Sequence, residues 1–76
     1  MKGKTKPKTA IQAIRFKKNK WTKQKSKKWI KEHNFNPIRL DETIHEYRYR
    51  IRQPSEFKSF RTLIEPNGIN ILLGIY

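Results

Sequence analysis

The stretch Trp21–Phe35, WTKQKSKKWIKEHNF, constrains this chain more than any other. Trp29, Ile30 and His33, with Ser26 above them, fall on one stripe at helical spacing. Lys20, Lys23, Lys27 and Lys31 fall on another, at steps of three and four. Like charges so placed destabilise an isolated helix by roughly a few tenths of a kcal/mol per pair. The helix therefore holds only by burying Trp29 and Ile30 against something else, and its wide lysine face seeks an anion. Thr22 is the candidate N-cap. Lys25, three residues on, rules out a capping box, which needs Glu or Gln there. At the other end Pro37 pushes Asn36 out of the helical region, and Asn34 suits a left-handed cap.

The chain has 76 residues, which is one domain at most, and apolar residues make up 34%. A chain this short buries only about 60% of its unfolded surface. Nine aromatics (two Trp, three Tyr, four Phe) suffice to anchor one small core. There is no cysteine, which excludes disulfides, thiolate zinc sites and cysteine nucleophiles. No apolar run approaches the roughly 18 residues of a membrane span, and no signal-peptide apolar region follows the basic start. The expectation is a protein neither in the membrane nor secreted by a signal peptide.

Charge is unevenly spread. Residues 1–31 hold 13 of the 19 Lys and Arg and none of the six acids, whereas residues 32–76 balance six against six. A neutral body joined to a strongly basic N-terminal third points to nucleic acid or another polyanion as partner.

Residues 1–9, MKGKTKPKT, alternate Lys2, Lys4, Lys6 and Lys8 with small or breaking residues and read as a basic flexible tail. Residues 10–76 read as a single small α+β domain. Ala10–Phe16 is a candidate first strand with Ile14 and Phe16 on one face, Ile11 and Ala13 on the other, a helical turn being the alternative for so short a stretch. Ile38–Leu40 is a short extended piece and Asp41-Glu42-Thr43 a turn. His45–Gln53 alternates without error: Tyr47, Tyr49 and Ile51 on one face, Arg48, Arg50 and Arg52 on the other. Phe57–Ile64 and Ile69–Ile75 form an antiparallel hairpin about Glu65-Pro66-Asn67-Gly68. The predicted architecture is an antiparallel sheet of three to four strands, in β-α-β-β-β order, with the helix on one face. The predicted core is Trp29, Ile30, Phe35, Tyr47, Tyr49, Ile51, Phe60, Ile69, Ile71 and Leu73, and the arginines point to the other face.

The chemistry of catalysis is missing. His33 and His45 are isolated, neither stands in a nucleophile–base pattern, and the three glycines are too far apart to form a phosphate loop. Two lone histidines without cysteine do not make a metal site. The expectation is a protein that is not an enzyme and uses neither metal nor cofactor. The candidate contacts are cationic. Arg48, Arg50 and Arg52 recur about every 6.6 Å along one strand face, close to the phosphate spacing of a nucleic-acid strand. Lys17, Lys18, Lys20, Lys23, Lys27 and Lys31 form one patch if the helix lysines face outward, and the tail lysines extend it. Trp21 lies within this basic run, where it either stacks on bases or packs over the helix start. No recognised sequence-reading motif is present, so binding would be to phosphates, salt-dependent and weakly sequence-selective.

The succession W-T-x-x-K-x-K-K-W-I-K-E-H, Y-R-Y-R-I-R-Q-P-S-E-F, F-R-T and G-I-x-I-L-L-G, over Trp21–Gly74, resembles a small domain of tailed-phage head-assembly proteins and of short basic proteins of large DNA viruses. The pattern there runs W-x(4)-A-x-x-W-L-x-x-H-G, R-F-R-Q-x-x-P, F-R-T; here Ser26 replaces the Ala and Asn34 the Gly. The resemblance implies a virion-assembly context, in the virion or host cytoplasm, and tilts the expected partner toward DNA, although the sequence itself gives no discriminator between DNA and RNA. It carries over no catalytic residue. The reading that results is a small, non-enzymatic, virion-associated nucleic-acid-binding protein. The alternatives are a minor capsid or assembly module that binds other virion proteins, and a small inhibitor of a host nucleic-acid enzyme. Nothing in the sequence sets the oligomeric state.

Overall fold

β1 (Thr9–Lys17) is the strand on which the rest is built, in a computed structural model that describes residues 8–76. It lies at the centre of a five-stranded sheet with β3 (Glu46–Arg50) on one side and β5 (Ile69–Ile75) on the other. β2 (Arg39–Glu42) and β4 (Ser59–Ile64) form the two edges, giving the order β2-β3-β1-β5-β4 with every neighbour antiparallel. The class is the expected α+β, but with five strands rather than three to four. The added strand is β2, which takes in Asp41 and Glu42, predicted as a turn. Their polarity suits an edge, and the pairing of Asp41 with Arg48 and Glu42 with Tyr47 supplies the backbone bonds. Thr9, assigned to the tail, starts β1 opposite Ile75. Lys2, Lys4 and Lys6 lie outside the described residues.

Register decides which side chains share a face. Between Ile11 and Ala13 the pairing of β1 with β5 shifts by one, so Gln12 is an extra residue in β1. The N–H groups of both Ile51 and Arg52 donate to the Gln12 carbonyl, at 2.7 and 3.1 Å. This bulge has two effects. It turns Ile11 to the side of Ile14 and Phe16, against the expected alternation, because a bulge reverses the period-two phase. It also ends β3 at Arg50, three residues before the predicted Gln53. Arg52 thereby leaves the arginine row; its carbonyl accepts from Gln12 Nε2 and its guanidinium reaches Glu56 at 3.5 Å.

The helix α1 (Lys23–Glu32) lies over the face that holds Ile14, Phe16, Tyr49 and Ile69. Thr22 caps it, accepting from the Lys25 N–H at 3.1 Å. Asn34 closes it with φ 60°, the left-handed conformation Asn tolerates. Ile30 and Ser26 are its buried residues. Phe16 is the hub, with Trp21, Trp29 and Tyr49 set edge-on to it at 5.0, 5.5 and 5.5 Å. Burying each such side chain stabilises by roughly 1.5–3 kcal/mol, which holds a helix that its lysines oppose. The Tyr49 hydroxyl meets Ser26 Oγ at 2.6 Å, and burial pushes its pKa above the usual tyrosine value although the Ser26 bond pulls the other way.

Phe60 departs from the predicted core. It pairs with Gly74 on the face away from the helix and is 43% exposed. Phe57 is buried on that same side, edge-on to Phe60 at 5.9 Å, its ring laid so close over Gly74 that any Cβ there would overlap it.

Candidate nucleic-acid interface

The helix covers one face of the sheet, and the basic residues of the other face are set by cross-strand register. Arg48 on β3 stands opposite Arg15 on β1, and Arg50 on β3 opposite Arg39 on β2. Neighbouring strands are about 4.8 Å apart and alternate residues about 6.6 Å, so the four guanidinium stems form a tight zigzag, Arg39–Arg50–Arg48–Arg15. Asn70 on β5 continues the row of Arg48 and Arg15.

Among the described residues two carboxylates answer these four cations. Asp41 takes Arg39 Nε at 2.6 Å and Arg50 at 3.5 Å, and Glu46 lies 3.8 Å from Arg15. Arg48 has no ion-pair partner among the described residues. The Nε atoms of Arg15, Arg48 and Arg50 and the Oδ1 of Asn70 are buried without a hydrogen-bond partner there. A buried polar group so left costs about 1–3 kcal/mol, and like charges directly opposite on a sheet repel. The arrangement works against the stability of the fold.

The second basic surface is the helix and the loop before it. Lys23, Lys25, Lys27, Lys28 and Lys31 are all exposed, as are Lys17 and Lys20, while Lys18 is half-buried. Several are engaged. Lys18 donates to Glu42 at 2.8 Å and sits 5.1 Å over the Tyr47 ring, Lys23 approaches Glu42 at 3.7 Å, and Lys28 approaches Glu32 at 4.0 Å. The Lys18 hydrogen bond and charge hold the exposed Glu42 carboxyl below the usual value, with Lys23 adding to it. Lys20 donates to the Pro66 carbonyl at 3.2 Å. Lys27 and Lys31 have no ion-pair partner among the described residues and flank a groove with Asn34, Asn36 and Tyr49.

Of the predicted site, Arg48 and Arg50 stand together as expected, and Arg52 does not join them. The helix lysines lie on the other side of the sheet from these arginines, whereas Lys17, two residues on from Arg15 in β1 and opposite Glu46, stands on the arginine side, so the predicted lysines do not form one patch. Lys8 is exposed and its carbonyl accepts from Tyr76 N–H at 3.1 Å. Trp21 donates its indole N–H to the Asn67 carbonyl at 2.8 Å and packs on Phe16, so its ring is engaged over the helix start. Arg15 and Arg39 are the residues that the row on β3 did not disclose. Arg15 had a signal, since it alternates with Ile14 and Phe16; Arg39 lies in the extended piece Ile38–Leu40, but nothing in that piece disclosed that it pairs with β3 and sets Arg39 opposite Arg50. Among the described residues no group of acids and histidines is placed to hold a metal ion.

Compared with known proteins, no family model matches this chain, and no curated protein or solved structure matches it. No helix of the described residues is long and apolar enough to cross a membrane.

Proposed function

We propose that this chain is a non-enzymatic nucleic-acid-binding protein that grips phosphates with the uncovered face of its sheet. The observation that carries this reading is the pair of opposed arginine couples, Arg15/Arg48 and Arg39/Arg50, against two carboxylates. Arginine binds phosphate through two parallel bonds, and the zigzag offers several such forks at strand spacing. The helix lysines, with Lys2, Lys4, Lys6 and Lys8, add a diffuse cationic field that speeds encounter. The motif resemblance supports a place in the virion, with packaged DNA as the polyanion.

The test is binding of the full chain to duplex DNA and duplex RNA across a salt series. Each phosphate contact contributes about −0.9 to the log–log slope on B-DNA. A slope of several units, lowered by Arg48→Gln with Arg50→Gln more than by replacing Lys2, Lys4 and Lys6 with Gln, supports the reading. Absence of binding at low salt overturns it in favour of a protein partner.

A further inference from the structure

The two edges of the sheet differ in kind. β2 is short and carries Arg39, Asp41 and Glu42, the charges that natural edges use to refuse a neighbour. β4 has six residues, SFRTLI, no proline, one charge, and every residue exposed. Phe60, Leu63 and Ile64 are 43%, 43% and 75% exposed. Among the described residues β4 has a neighbour on one side only.

The polarity of that edge follows from its inner pairing. Glu65 N–H donates to the Ile69 carbonyl at 2.9 Å, and the register of β4 on β5 continues from there through Leu63↔Ile71, Arg61↔Leu73 and Ser59↔Ile75. In an antiparallel ladder hydrogen-bonded pairs recur at every second residue. The odd-numbered residues therefore bond β5, and Phe60, Thr62 and Ile64 turn their N–H and C=O outward.

From this we infer that β4 pairs with β4 of a second copy of this chain, antiparallel, with Thr62 on the two-fold axis. The occupant and the register come from the strand itself. About Thr62, Phe60 falls opposite Ile64 of the other copy, twice, on one face. Arg61 falls opposite Leu63, twice, on the other. Three outward residues meet three, so every free N–H and C=O of the edge is used. The alternative with Arg61 on the axis sets Arg61 against Arg61 and calls on the Lys58 N–H, which already donates to the Ile75 carbonyl at 2.8 Å. Isologous pairing needs a self-complementary strand, and about Thr62 this one is self-complementary with all three outward residues paired. The excess of positive charge opposes the approach of two copies, so association strengthens with added salt, opposite in sign to phosphate binding.

The experiment is sedimentation or light scattering of the full chain over a concentration series at low and at roughly 0.5 M salt. A species of twice the 9.2 kDa chain mass, growing with salt, is expected. Thr62→Pro removes an outward N–H only, so it keeps the circular dichroism of the fold and yields the monomer. Thr62→Lys does the same by setting two charges face to face, and stands in should the proline variant misfold. Thr62→Cys forms an intermolecular disulfide on oxidation, whereas Arg61→Cys does not. A monomer at every concentration and salt overturns the inference, as does a dimer indifferent to Thr62→Pro and Thr62→Lys, or equal cross-linking at 61 and 62.

Discussion

The helix and the open face of the sheet are both basic, yet they hold their charge in different ways. On α1 the lysines sit on long exposed stems, and Lys23 and Lys28 lean on Glu42 and Glu32. A surface lysine loses little by being alone, because water solvates it, and its ion pairs contribute under about 1 kcal/mol. On the sheet, Arg15 and Arg50 are only 28% and 24% exposed at the side chain and are fixed by β register against other arginines. The helix carries more cations, several of them without a carboxylate nearby, but water reaches them; on the sheet most arginines have a carboxylate, yet the Nε atoms of Arg15, Arg48 and Arg50 are buried without a hydrogen bond. The two regions differ in confinement more than in number of charges.

The sharpest way to break this comparison is Arg48→Gln with Arg50→Gln. Losing two phosphate contacts lowers the salt slope on duplex DNA by about 1.8. Relief of the repulsion leaves thermal stability unchanged or higher. A fall in stability together with unchanged binding would make these arginines structural. Next in size is Asp41→Asn, which frees Arg39 and Arg50 from their shared carboxylate. Binding tightens and the slope rises by about 0.9 per phosphate gained, while stability drops by under about 1 kcal/mol. Titrations at two salt concentrations beside a urea melt check both. Lys27→Gln with Lys31→Gln removes the same number of charges from the helix and changes the slope by less than the arginine pair does. An equal change would place the helix lysines on the same footing as the sheet.

The smallest effects concern what holds the helix over the sheet. Tyr49 has its pKa raised in the folded state by burial, so the neutral form is favoured there. The stability this contributes is complete below the unfolded tyrosine value near 10 and is lost as pH rises through the higher folded value. Tyr49→Phe costs about 1 kcal/mol at neutral pH through the lost Ser26 bond, and flattens the alkaline fall in stability between about pH 9 and 12. Melting temperatures across that range measure it. Glu42, lowered mainly by Lys18, acts in the opposite window: its contribution is present above the unfolded carboxylate value and fades as pH falls through the folded one. Its exposure keeps that effect small.

Several parts of the molecule were determined by the sequence alone. The α1 seam of Trp29 and Ile30, the Thr22 cap, the Asn34 stop, the Pro66-Asn67-Gly68 turn and the phases of β3 and β5 follow from side-chain chemistry within a few residues. Local sterics and capping act over one turn or one strand, and that range is written in order along the chain. Three outcomes were decided by tertiary structure. β2 exists because β3 offers it a ladder, although Asp41 and Glu42 have little strand preference of their own. The Gln12 bulge, bonded to Ile51 and Arg52 some 40 residues on, moved Ile11 to the helix side and took Arg52 out of the row. The arginine zigzag itself joins residues from three strands that register alone brings together. Register is a long-range property: it is fixed by which apolar faces meet and where a strand gains a residue, and no window of sequence contains it.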